Sequence, residues 1–367
     1  MNNGSNIIMR AAAVLILAMS MACSKVRYTV SEDMPTETFV CYQLDWAGQT
    51  DVPSEMTVAM SRIINTVHFS CILDSLGVVK SALKDSVSVQ TDSMNRLNMP
   101  NGEYYIVAFN SKETAYSVSG YDEFTSMKSA SMRDIYINAP IMSDEEIREI
   151  AEIGGGSNVS DFNPSFDYIR TISPAYLDVQ KVNIHPDIDT VVTLRPAAVA
   201  QNLKFRVEIG SDPEVEILKV NADISGVPGS IQLLTGHISD TLTYRVPFEM
   251  TRTEGTTYEG SVYTLGLFPS TDATYTTGPG ILQLAILAKF GESEKVFRAG
   301  INLQQSIREA QLIEKASENE RLYRIRTDNA VLDVKSRLMI RKDNVTTEGD
   351  SEGVEVWFKH EDIEFEI

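Results

Sequence analysis

The sequence predicts a mainly β protein made of antiparallel β-sandwiches with short helical insertions. Apolar and polar residues alternate with a period of two in many short segments, including "EMTVAM", "NLKFRVEI" and "TLTYRVPF". Turns rich in Gly and Pro separate such segments, as in "MPNGEYY", "SGVPGS" and "TTGPGI". Half-buried strands joined by tight turns give this pattern, which is typical of β-sandwiches.

The alternation assigns an inward and an outward face to each predicted strand. In "NLKFRVEI", for example, the outward residues are Lys204, Arg206 and Glu208. The residues predicted to point inward are Met56, Val58, Met60, Leu203, Phe205, Val207, Ile209, Leu242, Tyr244, Val246, Phe248, Ile363, Phe365 and Ile367.

Two stretches interrupt the strands with helical signals. "SDEEIREIAEIGGG" places Ser143 as an N-cap and Glu146 three residues later, which is a capping box. "SIREAQLIEKASENERL" repeats the pattern with Ser306 and Glu309. We therefore predict one helix after Ser143 and a second after Ser306.

Composition limits the classes of function. The 367 residues include 51 acidic and 32 basic side chains, which gives a formal net charge of −19, and 43% of the residues are hydrophobic. This is enough for two domains with packed cores. An acidic surface repels phosphate backbones, so we predict no nucleic-acid partner.

The N-terminus resembles an export signal. Arg10 precedes an apolar run over residues 11–22, and the small residue Ala22 comes directly before Cys23. The run is too short to span a bilayer. We predict that residues 1–22 are a lipoprotein signal peptide and that Cys23 is the lipidated first residue of the mature chain. The alternative is an ordinary signal peptide cut nearby, because Ser20 stands where lipoprotein signals usually carry Leu.

The two remaining cysteines, Cys41 and Cys71, lie in strand-like runs. In an oxidising compartment they could form a disulfide, which would stabilise the fold by roughly 3 kcal/mol. The alternative is two buried free thiols. No second Cys or His follows either cysteine at ligand spacing, so we predict no metal site and no cofactor.

The segment "VNIHPDIDTVV" combines a Pro and two acids between two strand-rich halves. We place a domain boundary there, which gives an N-terminal β-sandwich domain over residues 23–185 and a C-terminal one over residues 186–367.

No motif predicts an enzyme. "SALK" contains Ser81 and Lys84 in the Ser-x-x-Lys pattern, but the partner motifs of acylating enzymes are missing. None of the histidines pairs with another at metal spacing, and alternation points His68 away from Phe69 and Cys71, toward solvent or a hydroxyl. The other histidines are His185, His237 and His360.

Adjacent acids are expected on solvated edges, where they discourage aggregation, and not in a glycosidase site. These pairs are Asp122–Glu123, Asp144–Glu145 and Glu361–Asp362. Glycan-binding modules use flat aromatic rings as platforms. The loop tyrosines that offer such rings are Tyr121, Tyr168, Tyr176 and Tyr275.

Several segments, in order, resemble a family of Bacteroides-type lipoproteins related to fimbrillins and fimbrial anchor subunits. They are "CYQLDWAG", "LNMPNGEYYIVAFNSKE", "TVVTLRPAAVAQNLKFRVEI", "ADISGVPGSIQLLTG", "GSVYTLGLFPS", "VFRAGINLQQSI" and "GVEVWFKHEDIEFEI". The resemblance implies two tandem transthyretin-like β-sandwich domains behind an anchor at Cys23. It also implies structural roles for Asp45, Trp46, Gly102, Tyr104, Ser225 and Gly226.

The resemblance further implies a non-catalytic protein held on the outer membrane by its lipid, facing the cell surface or the periplasm. "SKVR" after Cys23 lacks the acidic run that sends such lipoproteins to the surface. The expected role is fimbria anchoring, assembly or adhesion, with fimbrial subunits as partners. The alternative is a glycan-binding surface lipoprotein. Residues 306–345 exceed the family's usual ending, and we expect an added helical hairpin or lid there.

Overall fold

The structure is a computed structural model. It describes residues 38–47, 49, 52–63, 67–110, 116–120, 135–151, 167–186, 188–233, 238, 243–268, 279–310, 313–315, 323–325, 330–342, 344–348 and 361–362. Cys23, Tyr121, Tyr275, His237, His360, Asp122–Glu123 and the strand predicted at 363–367 lie outside the described residues.

The described residues are mainly β, which confirms the predicted fold class. The strands up to residue 198 are β1 (Thr38–Leu44), β2 (Glu55–Arg62), β3 (His68–Asp74), β4 (Val79–Lys84), β5 (Val87–Val89), β6 (Leu97–Met99), β7 (Gly102–Phe109), β8 (Ser117–Ser119), β9 (Tyr136–Asn138), β10 (Tyr176–Ile184), β11 (Thr190–Leu194) and β12 (Ala197–Ala198).

The strands that follow are β13 (Gln201–Ser211), β14 (Val215–Pro228), β15 (Ser230–Gln232), β16 (Thr243–Glu254), β17 (Thr257–Thr264), β18 (Ile281–Phe290), β19 (Ser293–Asn302), β20 (Ile313–Lys315), β21 (Tyr323–Ile325), β22 (Ala330–Ile340), β23 (Val345–Glu348) and β24 (Glu361–Asp362). Among the described residues, two helices accompany them, α1 (Asp144–Ala151) and α2 (Gln304–Glu309).

The N-terminal half is a sandwich of two sheets. A three-stranded sheet of order β11-β1-β6 faces a seven-stranded sheet of order β12-β10-β7-β2-β3-β4-β5. One hydrophobic cluster fills the space between them, with residues such as Tyr42 from one sheet and Met56, Phe69 and Tyr104 from the other. The inward-facing residues of the alternating strands therefore form this core, as the sequence predicts.

The other face of the seven-stranded sheet is also covered at its centre. Ala59, Val107 and Phe109 are at most 1% exposed and belong to a second hydrophobic cluster that continues into the C-terminal half. His68 lies on this same face, opposite Ser61, and is 2% exposed, so of the two predicted surroundings, solvent or a hydroxyl, solvent is wrong. Alternation identifies the face correctly, but the histidine side chain is shielded from solvent there.

The N-terminal sheets extend beyond residue 185. β11 pairs in parallel with β1, and β12 pairs with β10. The strands from β13 onward join other sheets. The division into domains 23–185 and 186–367 stays a prediction, and the pairing of β11 and β12 favours a boundary between Ala198 and Gln201.

The C-terminal half contains a nine-stranded sheet of order β23-β22-β13-β17-β16-β14-β18-β19-β24. The long strand β16 joins its two parts, because it pairs with β14 up to Met250 and with β17 from Thr251. Inward residues from both parts, including Phe205 and Ile286, belong to the same hydrophobic cluster. The sheet thus encloses a core between its two parts. β22 is parallel to β13, as β11 is to β1.

A segment of the N-terminal half pairs with strands of the C-terminal half. We call residues 135–151 and 167–172 the strap. Its strand β9 pairs with β15. Its backbone also exchanges hydrogen bonds with Arg245 on both sides of Tyr168, and the amide of Ile172 donates to Tyr263 O at 3.0 Å. The strap therefore ties the two halves together.

The strap covers a buried ion pair. Asn221 and Asp223 alternate with core residues of β14, so they face outward, and Asn221 Nδ2 donates to Ile150 O of the strap at 3.1 Å. Arg245 Nε donates to Asp223 Oδ1 at 2.5 Å, and both residues are less than 10% exposed. Burial raises the pKa of the Asp223 carboxyl, and the attraction of Arg245 opposes that rise.

Helix α1 begins with the predicted capping box. The Ser143 amide donates to Glu146 Oε2 at 2.8 Å, and the Glu146 amide donates to Ser143 Oγ at 3.4 Å. Arg170 Nε, from the other part of the strap, donates to Glu146 Oε1 at 2.7 Å. The hydrogen bond from the Ser143 amide, followed by the hydrogen bond from Arg170, lowers the pKa of Glu146 from 4.5 to about 2.

This pKa shift predicts a loss of stability in acid. A carboxyl with a lowered folded-state pKa stabilises the fold above its unfolded pKa, and the contribution disappears as pH falls through the folded value. For Glu146 the window runs from pH 4.5 to about 2. At pH values above this window, we expect Glu146→Gln to lower the urea concentration at the midpoint of unfolding. The difference from the parent protein should vanish as the pH falls toward the acid end of the window. A difference that is independent of pH would contradict this assignment.

The second predicted helix differs from its prediction. α2 begins at Gln304 and not after Ser306, because the Asn302 side chain at the end of β19 accepts a hydrogen bond from the Gln304 amide at 2.9 Å. It ends at Glu309. The expected helical hairpin over residues 306–345 is wrong, because the described residues after α2 form the β20–β21 hairpin and the strands β22 and β23.

Candidate functional site

A polar cleft of about 500 Å³ opens on the outer face of the C-terminal sheet, across β13, β16 and β17. It lies beside the point where β16 leaves β17 to pair with β14. Its lining residues are Lys204, Phe205, Arg206, Glu249, Thr251, Thr253, Glu259, Gly260, Ser261 and Val331.

Strand register brings these side chains together. Lys204 lies opposite Ser261 on one side and Val331 on the other, while Arg206 lies opposite Glu259. Thr251 on β16 continues this second row, because it pairs with Glu259. The outward face of β13 therefore meets polar residues of two strands that are distant in sequence.

Opposite charges balance within the cleft. Arg206 Nε donates to Glu259 Oε1 at 2.9 Å, and Arg206 Nη1 lies 3.3 Å from Asp333 Oδ1 at the margin of the cleft. The hydrogen bond that Arg206 donates to Glu259, followed by the charge of Asp333, raises the pKa of Arg206. Among the described residues, Lys204 and Glu249 take part in no ion pair. The two cations and two carboxylates of the lining sum to zero, in contrast with the −19 of the whole chain.

The floor of the cleft is rigid. Gly260 lies opposite Phe205 in the β13–β17 register. A Cβ added at Gly260 would come within 2.7 Å of the Phe248 ring, so that ring packs directly against the glycine. Phe248 in turn stacks on Phe205, with 5.0 Å between ring centroids and 25° between ring planes. Two stacked rings thus support the polar surface.

The two cysteines that are described are both free thiols. Cys71 is buried in the N-terminal core, where burial raises its pKa to about 12. Cys41 alternates with the core residues Val40 and Tyr42, so its side chain points to the other face of its strand, and its Sγ lies 3.9 Å from Thr190 O. The two side chains therefore face different environments.

The structure does not assemble the other candidate catalytic residues. Ser81 and Lys84 are three residues apart on β4, so they point to opposite faces, and Lys84 Nζ lies 5.8 Å from the centre of the Phe69 ring. His68 is buried, and desolvation lowers its pKa. His185 is exposed at the far end of β10. No group of three or more metal-ligating side chains occurs in the described part of the chain.

Two of the four tyrosines predicted as platforms, Tyr168 and Tyr176, are described, and neither offers an open ring face. Tyr168 lies in the strap where it pairs with Arg245, and it is 4% exposed. Tyr176 is 5% exposed, and its ring centroid lies 5.7 Å from that of Trp46 in an edge-on contact. Their prediction as glycan platforms is therefore wrong.

Strand alternation shows that Lys204 and Arg206 face outward, but only the register with β16 and β17 shows a cleft.

The residues given structural roles by the family resemblance have such roles here. Trp46 Nε1 donates to Ser75 O at 3.1 Å, and the fully buried Tyr104 donates its hydroxyl to Pro100 O at 2.9 Å. Ser225 Oγ accepts from the Ile281 amide at 3.0 Å. Gly226 has φ of +82° and forms a β-bulge between β14 and β16.

The remaining positions of that set are also turn positions. Asp45 Oδ1 accepts from the Ala47 amide at 3.2 Å, and Gly102 has φ of +140° at the start of β7.

In the portion that the structure describes, no helix has the length and apolar character required to cross a membrane.

Comparison with solved structures finds several similar chains. A proposed adhesin from Bacteroides ovatus has 15% identity and a TM-score of 0.48, with 78% of this chain and 89% of that chain covered. A proposed polysaccharide-binding protein from Bacteroides thetaiotaomicron has 10% identity and a TM-score of 0.41, with 86% and 100% covered. The fimbrial anchor protein Mfa2 from Porphyromonas gingivalis has 14% identity and a TM-score of 0.37, with 88% and 96% covered.

The structural neighbours of this chain are proposed adhesins and a fimbrial anchor protein. These are the kinds of protein to which the sequence resemblance points. No family model and no curated protein matches the sequence.

Proposed function

We propose that this chain is a lipid-anchored, non-catalytic protein of the outer membrane that acts through contact, in fimbria anchoring, fimbria assembly or adhesion. The observation that carries the proposal is the N-terminal pattern, in which Arg10, an apolar run over residues 11–22 and the small Ala22 precede Cys23. Acyl chains on Cys23 would hold the protein at a membrane, since each buried methylene contributes about 0.8 kcal/mol.

The fold supports a role in contact. The seven-stranded sheet ends at the short strand β5, and the nine-stranded sheet ends at β23 and β24. Such edge strands expose backbone donors and acceptors that can bind a strand of a partner protein.

The proposal predicts that Cys23→Ala abolishes metabolic palmitate labelling and releases the protein from the membrane fraction. Cys23 is the expected acceptor of the acyl chains, so its removal leaves no attachment point. Cys41→Ala is the matched control and should keep both the label and the membrane location. Membrane retention of the unlabelled Cys23→Ala protein would overturn the anchor. Protease treatment of intact cells then distinguishes a chain that faces the surface from one that faces the periplasm.

A second candidate function is glycan binding. The observation that favours it is the polar cleft, where hydroxyl, carboxylate and cationic side chains line a concave surface on the C-terminal sheet. The proposed polysaccharide-binding protein from Bacteroides thetaiotaomicron bears a name of this class, but the cleft is the reason for naming this function here.

A further inference from the structure

We infer that the polar cleft across β13, β16 and β17 binds a short, neutral oligosaccharide. This inference deepens the second candidate function and rests on it, while it does not depend on the lipid anchor. Its basis is the size, the charge balance and the hydrogen-bonding groups of the cleft.

The size of the cleft suits a small ligand. Its volume of about 500 Å³ falls within the range of roughly 300–1,000 Å³ that is usual for small-molecule sites. The stacked rings of Phe205 and Phe248 keep its floor in place without a ligand. A ligand would therefore meet a largely preformed surface, which limits the ordering cost of binding.

The charges of the cleft select against anions. Arg206 is held by Glu259 and Asp333, so its positive charge is already balanced. Lys204 is the remaining cation of the lining, and the Glu249 carboxylate offsets it. A phosphate or a polyanion would meet carboxylates on the same surface of a strongly acidic protein. A neutral ligand avoids this repulsion.

The hydrogen-bonding groups match sugar hydroxyls. Each sugar hydroxyl both donates and accepts, so it is best bound by a donor and an acceptor that lie close together. Glu249 can only accept and Lys204 can only donate, while the hydroxyls of Thr251, Thr253 and Ser261 can do both. The cleft therefore offers the mixed set that a polyhydroxylated ligand requires.

An apolar ligand fits less well. Phe205 is completely buried, so it contributes to the floor and exposes no ring face. Val331 is 49% exposed and supplies an apolar side chain at one side of the lining. One exposed aliphatic group suits the C–H face of a sugar ring, whereas most small-molecule sites for apolar ligands are lined mainly by apolar side chains.

The test uses the full-length protein purified in detergent. An array of neutral and anionic oligosaccharides identifies the sugars retained, and calorimetric titration with maltotriose, cellotriose and mannotriose measures affinity. We expect binding to a neutral oligosaccharide and a loss of at least about tenfold in affinity for Lys204→Ala with Glu249→Ala, because both hydrogen-bonding partners are removed. The matched control is Glu216→Ala with Lys289→Ala, an exposed acid and a base that face each other on β14 and β18.

The control variant should bind the sugar as tightly as the parent protein. Thermal unfolding checks that both double variants fold, and Ser261→Ala and Thr251→Ala test the same cleft with smaller changes. An array that retains no neutral sugar, retention of anionic sugars alone, or unchanged affinity in all of the cleft variants would overturn the inference. Cys23→Ala should leave sugar binding intact, so failure of the anchor and failure of the cleft give different results.

Discussion

Replacing Asp223 with alanine is expected to lower the free energy of unfolding by about 3–5 kcal/mol. Asp223 Oδ1 lies 2.5 Å from Nε and from Nη2 of Arg245, and the two side chains are 8% and 5% exposed. The variant keeps the guanidinium beneath the strap but removes the carboxylate that balances its charge. Equilibrium unfolding in guanidinium chloride measures the loss.

Two further variants separate burial from ion pairing. Asp223→Leu combined with Arg245→Met replaces both charges by apolar groups, and we expect it to recover most of the stability, since apolar replacements of buried ion pairs are often neutral or stabilising. Glu259→Ala removes one partner of the exposed pair with Arg206 and should change stability by less than about 1 kcal/mol. If Asp223→Ala were as mild as Glu259→Ala, the pair under the strap would not have the stated role.

Replacing Gly226 with alanine is expected to destabilise the protein by about 2–6 kcal/mol, the sum of backbone strain and overpacking. Gly226 has φ of +82°, and a Cβ added there would lie 2.6 Å from Pro279 Cβ and 2.9 Å from the Gly280 amide nitrogen. The Gly226 carbonyl also accepts from the Phe268 amide at 2.7 Å, so the surrounding backbone has little room to move.

Gly255→Ala is the matched control for this variant. Gly255 also has a positive φ, +54°, but no neighbouring heavy atom lies within 4 Å of the added Cβ. The free energy of unfolding should fall only by the cost of placing alanine in a left-handed backbone, about 1–2 kcal/mol. The difference in unfolding free energy between the two variants then measures the steric clash. Equal losses would show that the approach of residues 279–280 to Gly226 does not matter for stability.

The sequence predicts the inner faces of the strands well because side-chain direction along a strand is a local property. Met56, Val58 and Met60 on β2 and Leu203 and Phe205 on β13 are all fully buried, as alternation predicts. The capping box at Ser143 is equally local and is found as predicted. Fold class follows from such repeated local signals.

Features that depend on distant segments could not be predicted. His68 is buried although it alternates away from the core of its sheet, and Tyr168 is buried because the strap pairs with Arg245 of the C-terminal half. Helix α2 begins before Ser306 because β19 runs on to Asn302, whose side chain becomes the cap. In each case tertiary contacts, and not the local pattern, decide the structure.

The candidate site also combines a local feature that the sequence predicts with contacts that depend on distant segments. Alternation places Lys204 and Arg206 on an outer face, but the sequence contains no sign that Glu249, Thr251 and Glu259 meet them. That meeting depends on the register of β13 with β17 and on the passage of β16 between two parts of the sheet. Strand register over separations of about 50 residues is set by the whole fold and not by a local motif.

The strap has a consequence for how the molecule would carry tension. Pulling the two halves apart must break the β9–β15 ladder and the backbone hydrogen bonds at Arg245 and Tyr263, and it must expose a buried ion pair to water. A flexible linker would yield without any such loss. A protein held at one end and gripped at the other would thus transmit force through a stiff joint.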